Sequence, residues 1–163
     1  MTISYELKFF DYWHLSSGLS AGAKLDSTVV KDEHGLAYAP GKTIKGLVRE
    51  MAEEFGDVEY MHACYFSNAT LKQEQKEQIV SNKLQDNLYD IIASTKIGAD
   101  GLAVDNSLRE IEVVVPLSLY GEIRDIPDAF VKKIEQSLKL IKRMGLNRNR
   151  GLGRCEFIVE SVK

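Results

Sequence analysis

The 163 residues suffice for one domain with a substantial core, and a composition of 44% hydrophobic and 28% charged residues is typical of a globular protein. No stretch approaches the ~20 apolar residues of a membrane span, and residues 1–6 lack the basic start and apolar run of a signal peptide. The two cysteines are far apart and indicate no disulfide framework. We therefore expect a cytoplasmic protein with no membrane partner. The net charge of −3 argues against a uniformly basic nucleic-acid binder.

The first part of the chain is predicted to contain one strand and one amphipathic helix. Apolar residues alternate with polar ones over 2–9, which predicts a half-buried strand, and a Gly/Ser-rich stretch follows at 16–23. Apolar residues recur at helical spacing over 44–55, with Thr43 as the predicted N-cap. Gly46 lies on the polar side of this helix, where it permits either the close approach of a ligand or a tight helix packing contact.

The rest of the chain is predicted to alternate between strands and helices. Its elements are a short strand at 60–66, a polar helix at 70–89, a loop or hairpin at 94–109, a strand at 111–119, a helix at 128–144 and a strand at 155–162. Pro116 indicates that the strand at 111–119 is an edge strand or contains a bulge. The order predicts an α+β, ferredoxin-like (RRM-like) βαββαβ core in a single domain spanning 1–163, with an insertion at about 70–110.

Ten residues at 145–154 hold three glycines and three arginines, directly before the last predicted strand. Glycine lets the backbone take positive φ values and approach a ligand closely, and arginine offers phosphate a planar fork. Residues 142–154 carry five positive charges and no acidic residue, which predicts a loop that binds a polyanion such as RNA. The residues predicted to make these contacts are Asn147, Arg148, Asn149, Arg150, Gly151, Gly153 and Arg154. A structural turn with surface arginines is the alternative interpretation.

A second basic group lies at the start of the first predicted helix. Its members are Lys42, Thr43, Lys45 and Arg49. The amide groups and the dipole of a helix N-terminus favour a phosphate, and lysine at such an end is unfavourable without an anionic partner. The group therefore predicts a second RNA contact, with ordinary exposed lysines as the alternative.

Four motifs, in order along the chain, resemble those of the RAMP superfamily, the repeat-associated proteins of CRISPR systems. They are the Gly/Ser-rich segment at 16–26 with 29–32, the helix start at 39–49, the segment at 65–71 and the Arg-Gly-Leu-Gly-Arg loop at 150–154. The resemblance is closest to the backbone subunits of type III CRISPR effectors, and it covers most of the chain.

The resemblance implies a subunit that polymerises along guide RNA with copies of itself and other effector subunits, and that receives target RNA. The β-hairpin thumb, which kinks the guide in such proteins, corresponds to 94–113. Asp26 corresponds to the loop aspartate that supports metal-dependent cleavage of target RNA, with Mg²⁺ or another divalent cation as cofactor. One carboxylate suits Mg²⁺, since this ion keeps several waters and takes phosphate oxygens as further ligands.

Other interpretations of the same residues stay open. Asp26 is equally typical of a turn, which would leave a structural subunit that is catalytically inert. His14 is a candidate general base for a metal-independent endoribonuclease that processes guide RNA, and an ordinary structural histidine is the simpler interpretation. Phe10, Tyr12 and Trp13 suit either stacking on splayed bases or a place in the core. A ferredoxin-like module for a small molecule is the remaining alternative.

Overall fold

The computed structural model describes residues 1–18, 25–56 and 58–163, and it contains six strands and three α-helices within those ranges. The elements are β1 (Ile3–Phe9), α1 (Gly41–Glu53), β2 (Tyr65–Phe66), α2 (Gln73–Ser81), β3 (Tyr89–Ser94), β4 (Arg109–Val114), β5 (Ser118–Arg124), α3 (Val131–Leu140) and β6 (Cys155–Val162). Over the same ranges, none of the helices has the length and apolar content needed to cross a membrane.

Strand β1 lies inside a four-stranded antiparallel sheet of order β2-β5-β1-β6. Helix α1 connects β1 to β2, and α3 connects β5 to β6, so each helix joins two strands that are separated by a third. This is the strand order of a ferredoxin-like fold, and the predicted α+β class is confirmed. Strands β3 and β4 form a separate hairpin between β2 and β5.

The core lies between one face of this sheet and the two helices. Every second residue of β1 is buried, because successive side chains of a strand point to opposite faces. Ile44 and Val48 of α1 and Ile134 and Leu138 of α3 are fully buried at helical spacing. On the opposite face of β1, Ser4, Glu6 and Lys8 are partly or fully exposed, so the sheet has one open polar face.

Several predicted element boundaries were wrong. The strand predicted at 111–119 is two strands in two different sheets, because Pro116 has no N–H and lies between the end of β4 and the start of β5. The segment at 60–66 holds a short 3-10 turn before the two-residue β2, and the helix predicted to reach 144 ends at Leu140.

The prediction that Thr43 caps α1 was also wrong, and one of the two alternatives for Gly46 is excluded. Pro40 is the N-cap residue and Thr43 lies inside the first turn, because the extended backbone of Pro40 already sets the start of the helix. A side chain added at Gly46 would meet nothing within 4 Å, so no helix packs tightly against this glycine among the described residues.

The free edge of β4 attaches the hairpin to the rest of the protein. Backbone hydrogen bonds join Trp13 to Val114 in both directions, at 3.1 and 2.8 Å. Further along β4, the N–H of Glu112 donates to the carbonyl of Ser27 at 3.1 Å. The loop that follows β1 therefore pairs with the edge of β4 that β3 leaves open.

Candidate nucleic-acid interface

The glycine- and arginine-rich loop (residues 145–153) begins and ends on paired backbone. Arg143 and Arg154 form an antiparallel bridge, and the N–H of Met144 donates to the carbonyl of Gly153 at 3.0 Å. The stems of the loop thus continue the sheet beyond the start of β6. Because both stems are fixed, the loop loses less conformational entropy on binding a ligand than a free loop would.

Three consecutive residues connect this loop to the hairpin. The carbonyls of Tyr12 and His14 accept hydrogen bonds from loop amides at 2.8 and 2.9 Å, while Trp13 pairs with Val114 of β4. The hydroxyl of Tyr12 also donates to Asp90 of β3 at 3.1 Å, and this hydrogen bond raises the pKa of Tyr12. The segment 12–14, which we call the junction, therefore holds the loop on one edge and the hairpin on the other.

Two of the three loop glycines are required by backbone packing. Gly145 and Gly153 have φ values of +93° and +71°, and a Cβ at either position would overlap a backbone carbonyl, that of His14 or that of Met144. Gly151 has a φ of +91°, but a Cβ there would meet nothing within 4 Å. The geometry thus gives Gly145 and Gly153 a folding role and leaves the space beside Gly151 open to a ligand.

The side chains of the loop point in different directions. Asn147 has a φ of +55° and its carbonyl accepts from the N–H of Arg150 at 2.8 Å, which forms the turn. Arg148 and Asn149 line a cavity of about 280 Å³ against the side of α1 that carries Leu47. The loop is therefore a structured turn whose arginines are partly or fully exposed.

Arg150 faces the hairpin across the largest of the described cavities, of about 570 Å³. Lys96 and Arg109, from the two arms of the hairpin, line the same cavity. Its other lining residues are Ser94, Thr95, Val104, Asp105, Asn106 and Ser107. Sequence reasoning missed Lys96 and Arg109, because nothing in the local pattern shows that a residue at 150 lies beside both.

The basic group of α1 lies apart from the loop. Lys42 and Lys45 line a cavity of about 340 Å³ with residues of β2, and the Nζ of Lys45 donates to the carbonyl of Cys64 at 2.9 Å. Arg49 pairs with Glu53 at 3.4 Å, and Thr43 is exposed. The first helical amide, that of Gly41, already donates to the side chain of Asn68 at 2.9 Å.

The two basic groups lie on opposite flanks of α1. Residues of a helix are about 100° apart in projection, which places Lys45 and Arg49 on one side of the buried stripe and Leu47 on the other. The side of α1 that carries Leu47 faces the loop. The structure therefore does not gather the predicted RNA contacts into one patch.

Asp26 is exposed and is hydrogen-bonded to β4. Its Oδ2 accepts from the N–H of Glu110 at 2.8 Å, and its own N–H donates to the carbonyl of Glu110 at 2.9 Å. Residues 19–24 of the motif that contains Asp26 lie outside the described residues. Among the residues that the structure describes, no group of three metal-ligating side chains occurs. A single exposed carboxylate fits Mg²⁺ only where RNA phosphate oxygens and water complete the coordination shell.

His14 is fully buried, and both ring nitrogens are engaged. Nδ1 lies 2.5 Å from the carbonyl of Glu112 and Nε2 lies 3.0 Å from the hydroxyl of Ser27. A carbonyl only accepts, so Nδ1 carries a proton and the ring links the junction to β4. Burial also raises the pKa of both thiols, that of Cys155 to about 12, so both cysteines stay protonated.

No known family model and no curated protein matches this sequence. Solved structures do match. A chain of the type III-B Cmr-beta bound to cognate target RNA superposes with a TM-score of 0.72 and 9% identity, over 98% of this chain and 97% of the other. A chain of Cmr-beta in the apo state gives 0.73 and 11%, over 99% and 98%. The chain therefore has the fold of these Cmr-beta chains.

At identities of 9 and 11%, this agreement concerns the fold. The ferredoxin-like fold that the order of elements predicted is confirmed. The same comparison leaves the roles of Asp26 and of the two basic groups as predictions.

We expect Gly153→Ala to destabilise the protein by about 2–4 kcal/mol, since the new Cβ overlaps a carbonyl and the residue keeps a positive φ. Urea unfolding followed by the fluorescence of Trp13, the only tryptophan and a member of the junction, measures this change.

Gly151→Ala is the matched control, because it has a similar φ without the overlap. Its expected cost is about 1–2 kcal/mol. Equal unfolding midpoints for the two variants would contradict the assignment of Gly153 to backbone packing.

Proposed function

We propose that this chain is an RNA-binding subunit of a type III-like CRISPR effector complex. It would assemble along guide RNA with copies of itself and with other effector subunits, and receive target RNA. The observation that carries the proposal is a shared fold over nearly the full length of both chains with a chain of Cmr-beta, an assembly solved with cognate target RNA. The basic loop supports it, since its charge is local in a protein with a net charge of −3.

The loop suits recognition of an RNA backbone. Arg150, Lys96 and Arg109 bring three cations from three segments to one cavity, with hydroxyl groups beside them. Arginine forks and hydroxyl groups bind phosphate oxygens without reading sequence. Sequence would then be read by base pairing between guide and target.

The second basic group serves a separate contact. Lys42 and Lys45 lie on the flank of α1 that faces β2, so a short RNA segment on the loop does not also contact them. In an assembly along guide RNA, this flank suits a different stretch of the same RNA. Lys45 is only partly available, because its ammonium also donates to the carbonyl of Cys64.

Cleavage of target RNA is the finer part of the proposal, with Asp26 as the residue that holds Mg²⁺ or another divalent cation. The metal would supply a Lewis acid at the scissile phosphate. Asp26 contributes one carboxylate, whose orientation the N–H of Glu110 fixes at 2.8 Å. That hydrogen bond equally supports the second candidate, an inert structural subunit in which Asp26 only joins its loop to β4.

A metal-independent nuclease that uses His14 is disfavoured by geometry. The ring is fully buried and both nitrogens are engaged, so no imidazole nitrogen is available to an RNA 2′-hydroxyl. A structural role for His14 accounts for both contacts of its ring, with the carbonyl of Glu112 and the hydroxyl of Ser27.

The direct experiment is to purify the protein from its native host at moderate salt and to sequence any RNA that accompanies it. RNAs that share a CRISPR repeat-derived end would support guide binding. Protein free of nucleic acid and of effector subunits would overturn the proposal.

Replacing Arg148 and Arg150 together with alanine is expected to weaken binding of single-stranded RNA by at least tenfold. It should also lower the slope of log affinity against log salt by about 1.4, because each of the two arginines neutralises one phosphate and each such phosphate contributes ~0.7 to the slope. Fluorescence anisotropy across a salt series measures both quantities.

Lys132→Ala with Lys163→Ala is the matched control, because it removes two positive charges at exposed positions outside the loop. An equal loss of affinity in both double variants would show that net charge, and not the loop, governs binding.

Asp26→Asn is expected to abolish metal-dependent cleavage of RNA complementary to the guide, with unchanged RNA affinity and stability. The asparagine oxygen still accepts from the N–H of Glu110, so the loop stays in place while the charge that holds a cation is removed. Cleavage is followed on gels, with and without Mg²⁺, in the assembled complex.

If the Asp26→Asn variant cleaves RNA at the wild-type rate, Asp26 has no role in cleavage. A wild-type complex that binds RNA and cleaves nothing would favour the inert subunit.

A further inference from the structure

We propose that a cleft beside the stems of the loop binds one unstacked nucleobase of single-stranded RNA, with Phe10 as the stacking surface and Arg143 as a phosphate contact. The inference rests on the proposed function, and it assigns Phe10 and Arg143 a role that the predicted RNA-binding set does not contain. Sequence reasoning left Phe10 between a stacking role and a place in the core.

Backbone pairing puts three side chains on one face. The N–H of Phe10 donates to the carbonyl of Arg154 at 2.9 Å, and Arg154 bridges to Arg143 in an antiparallel arrangement. Residues directly opposite each other in antiparallel strands share a face. Phe10, Arg154 and Arg143 therefore form a row across the end of the sheet, while the side chain of Cys155, the first residue of β6, is buried on the other face.

An exposed aromatic ring lies in this row. Phe10 is 39% exposed, although Phe9 and Trp13, which are close to it in sequence, are buried and stacked on each other. Phe9 and Trp13 thus belong to the core, and Phe10 does not. The ring of Phe10 borders a cleft of about 330 Å³, which Lys142, Arg143, Arg154, Cys155 and Glu156 also line.

Cations surround the ring. The Nζ of Lys8 and the Cζ of Arg154 each lie 5.4 Å from its centroid, and Lys142 and Arg143 line the cleft beside it. Two carboxylates oppose these four cations: Glu156 lines the cleft, and Asp11 pairs with Arg154 at 3.2 Å. Both partners of that pair are substantially exposed, so a phosphate displaces Asp11 at little cost.

This combination fits single-stranded RNA better than a protein partner. A nucleobase stacks on an aromatic or guanidinium plane whatever its identity, and its phosphate needs a cation nearby. Among the described residues that line the cleft, Phe10 is the one large apolar side chain that is exposed, which gives a protein partner little apolar surface to bury. Arg143 and Arg154 are also the two stems of the loop, so RNA that leaves the loop reaches the cleft directly.

The test uses a ribo-oligonucleotide that carries 2-aminopurine, whose fluorescence falls when it stacks. Wild-type protein should quench the probe, and Phe10→Leu should lose the quenching and bind about five-fold to a hundred-fold more weakly. The salt slope should stay constant for Phe10→Leu, whereas Arg143→Ala should lower it by about 0.7. Phe10→Tyr should restore both quenching and affinity.

Phe55→Leu is the matched control, because Phe55 is a similarly exposed phenylalanine at 45% and lies beyond the end of α1. Equal quenching and affinity for wild type and Phe10→Leu would overturn the inference, even with RNA binding intact in both. Absence of RNA binding by the wild-type protein would overturn the proposed function together with it. Urea unfolding midpoints within error of wild type show that the variants stay folded.

Discussion

Backbone hydrogen bonds of the junction, residues 12–14, fix both parts of the candidate site. An extended segment presents its peptide groups alternately to its two edges, and here each edge has a different partner. Trp13 pairs with the hairpin and its two neighbours pair with the loop. The junction is held in turn by burial, because Trp13 and His14 are fully buried. The hairpin and the loop thus have a common anchor inside the core, although residues 115–144 separate them in the chain.

The same anchor explains how a glycine-rich loop serves folding and recognition together. Gly145 and Gly153 allow the loop backbone to lie against the junction and its own stem, where any side chain would collide. With the backbone fixed, the polar side chains between them extend away from the core toward α1 on one side and the hairpin on the other. The glycine pattern is typical of a ligand-binding loop, but backbone packing requires Gly145 and Gly153. Only the space beside Gly151 is open.

The sequence was informative wherever local periodicity determines structure. Alternation over β1 and helical spacing over α1 and α3 predicted the core, and the order of elements predicted the sheet. Prediction from the sequence failed where contacts with residues distant in the chain determine the structure. The placement of β4 in a separate sheet depends on β3 and the loop after β1, which occupy its two edges, and the separation of the two basic groups depends on the side of α1 that faces the loop. Phe10 and Arg143 lie far apart in the chain, so only strand pairing shows that they share a face.

The position of β1 has a consequence for how this protein is made. Both of its neighbours, β5 and β6, come from the last third of the chain, and Ile3 pairs with Val162. Strand β1 is therefore synthesised before both of its partners, and its four apolar side chains stay unpaired until β5 and β6 are available. Contacts so distant in sequence slow folding, because the loop must close before the contacts stabilise it. A chain that lacks β6 leaves one edge of β1 unpaired, and an unpaired strand edge is prone to pair with another chain.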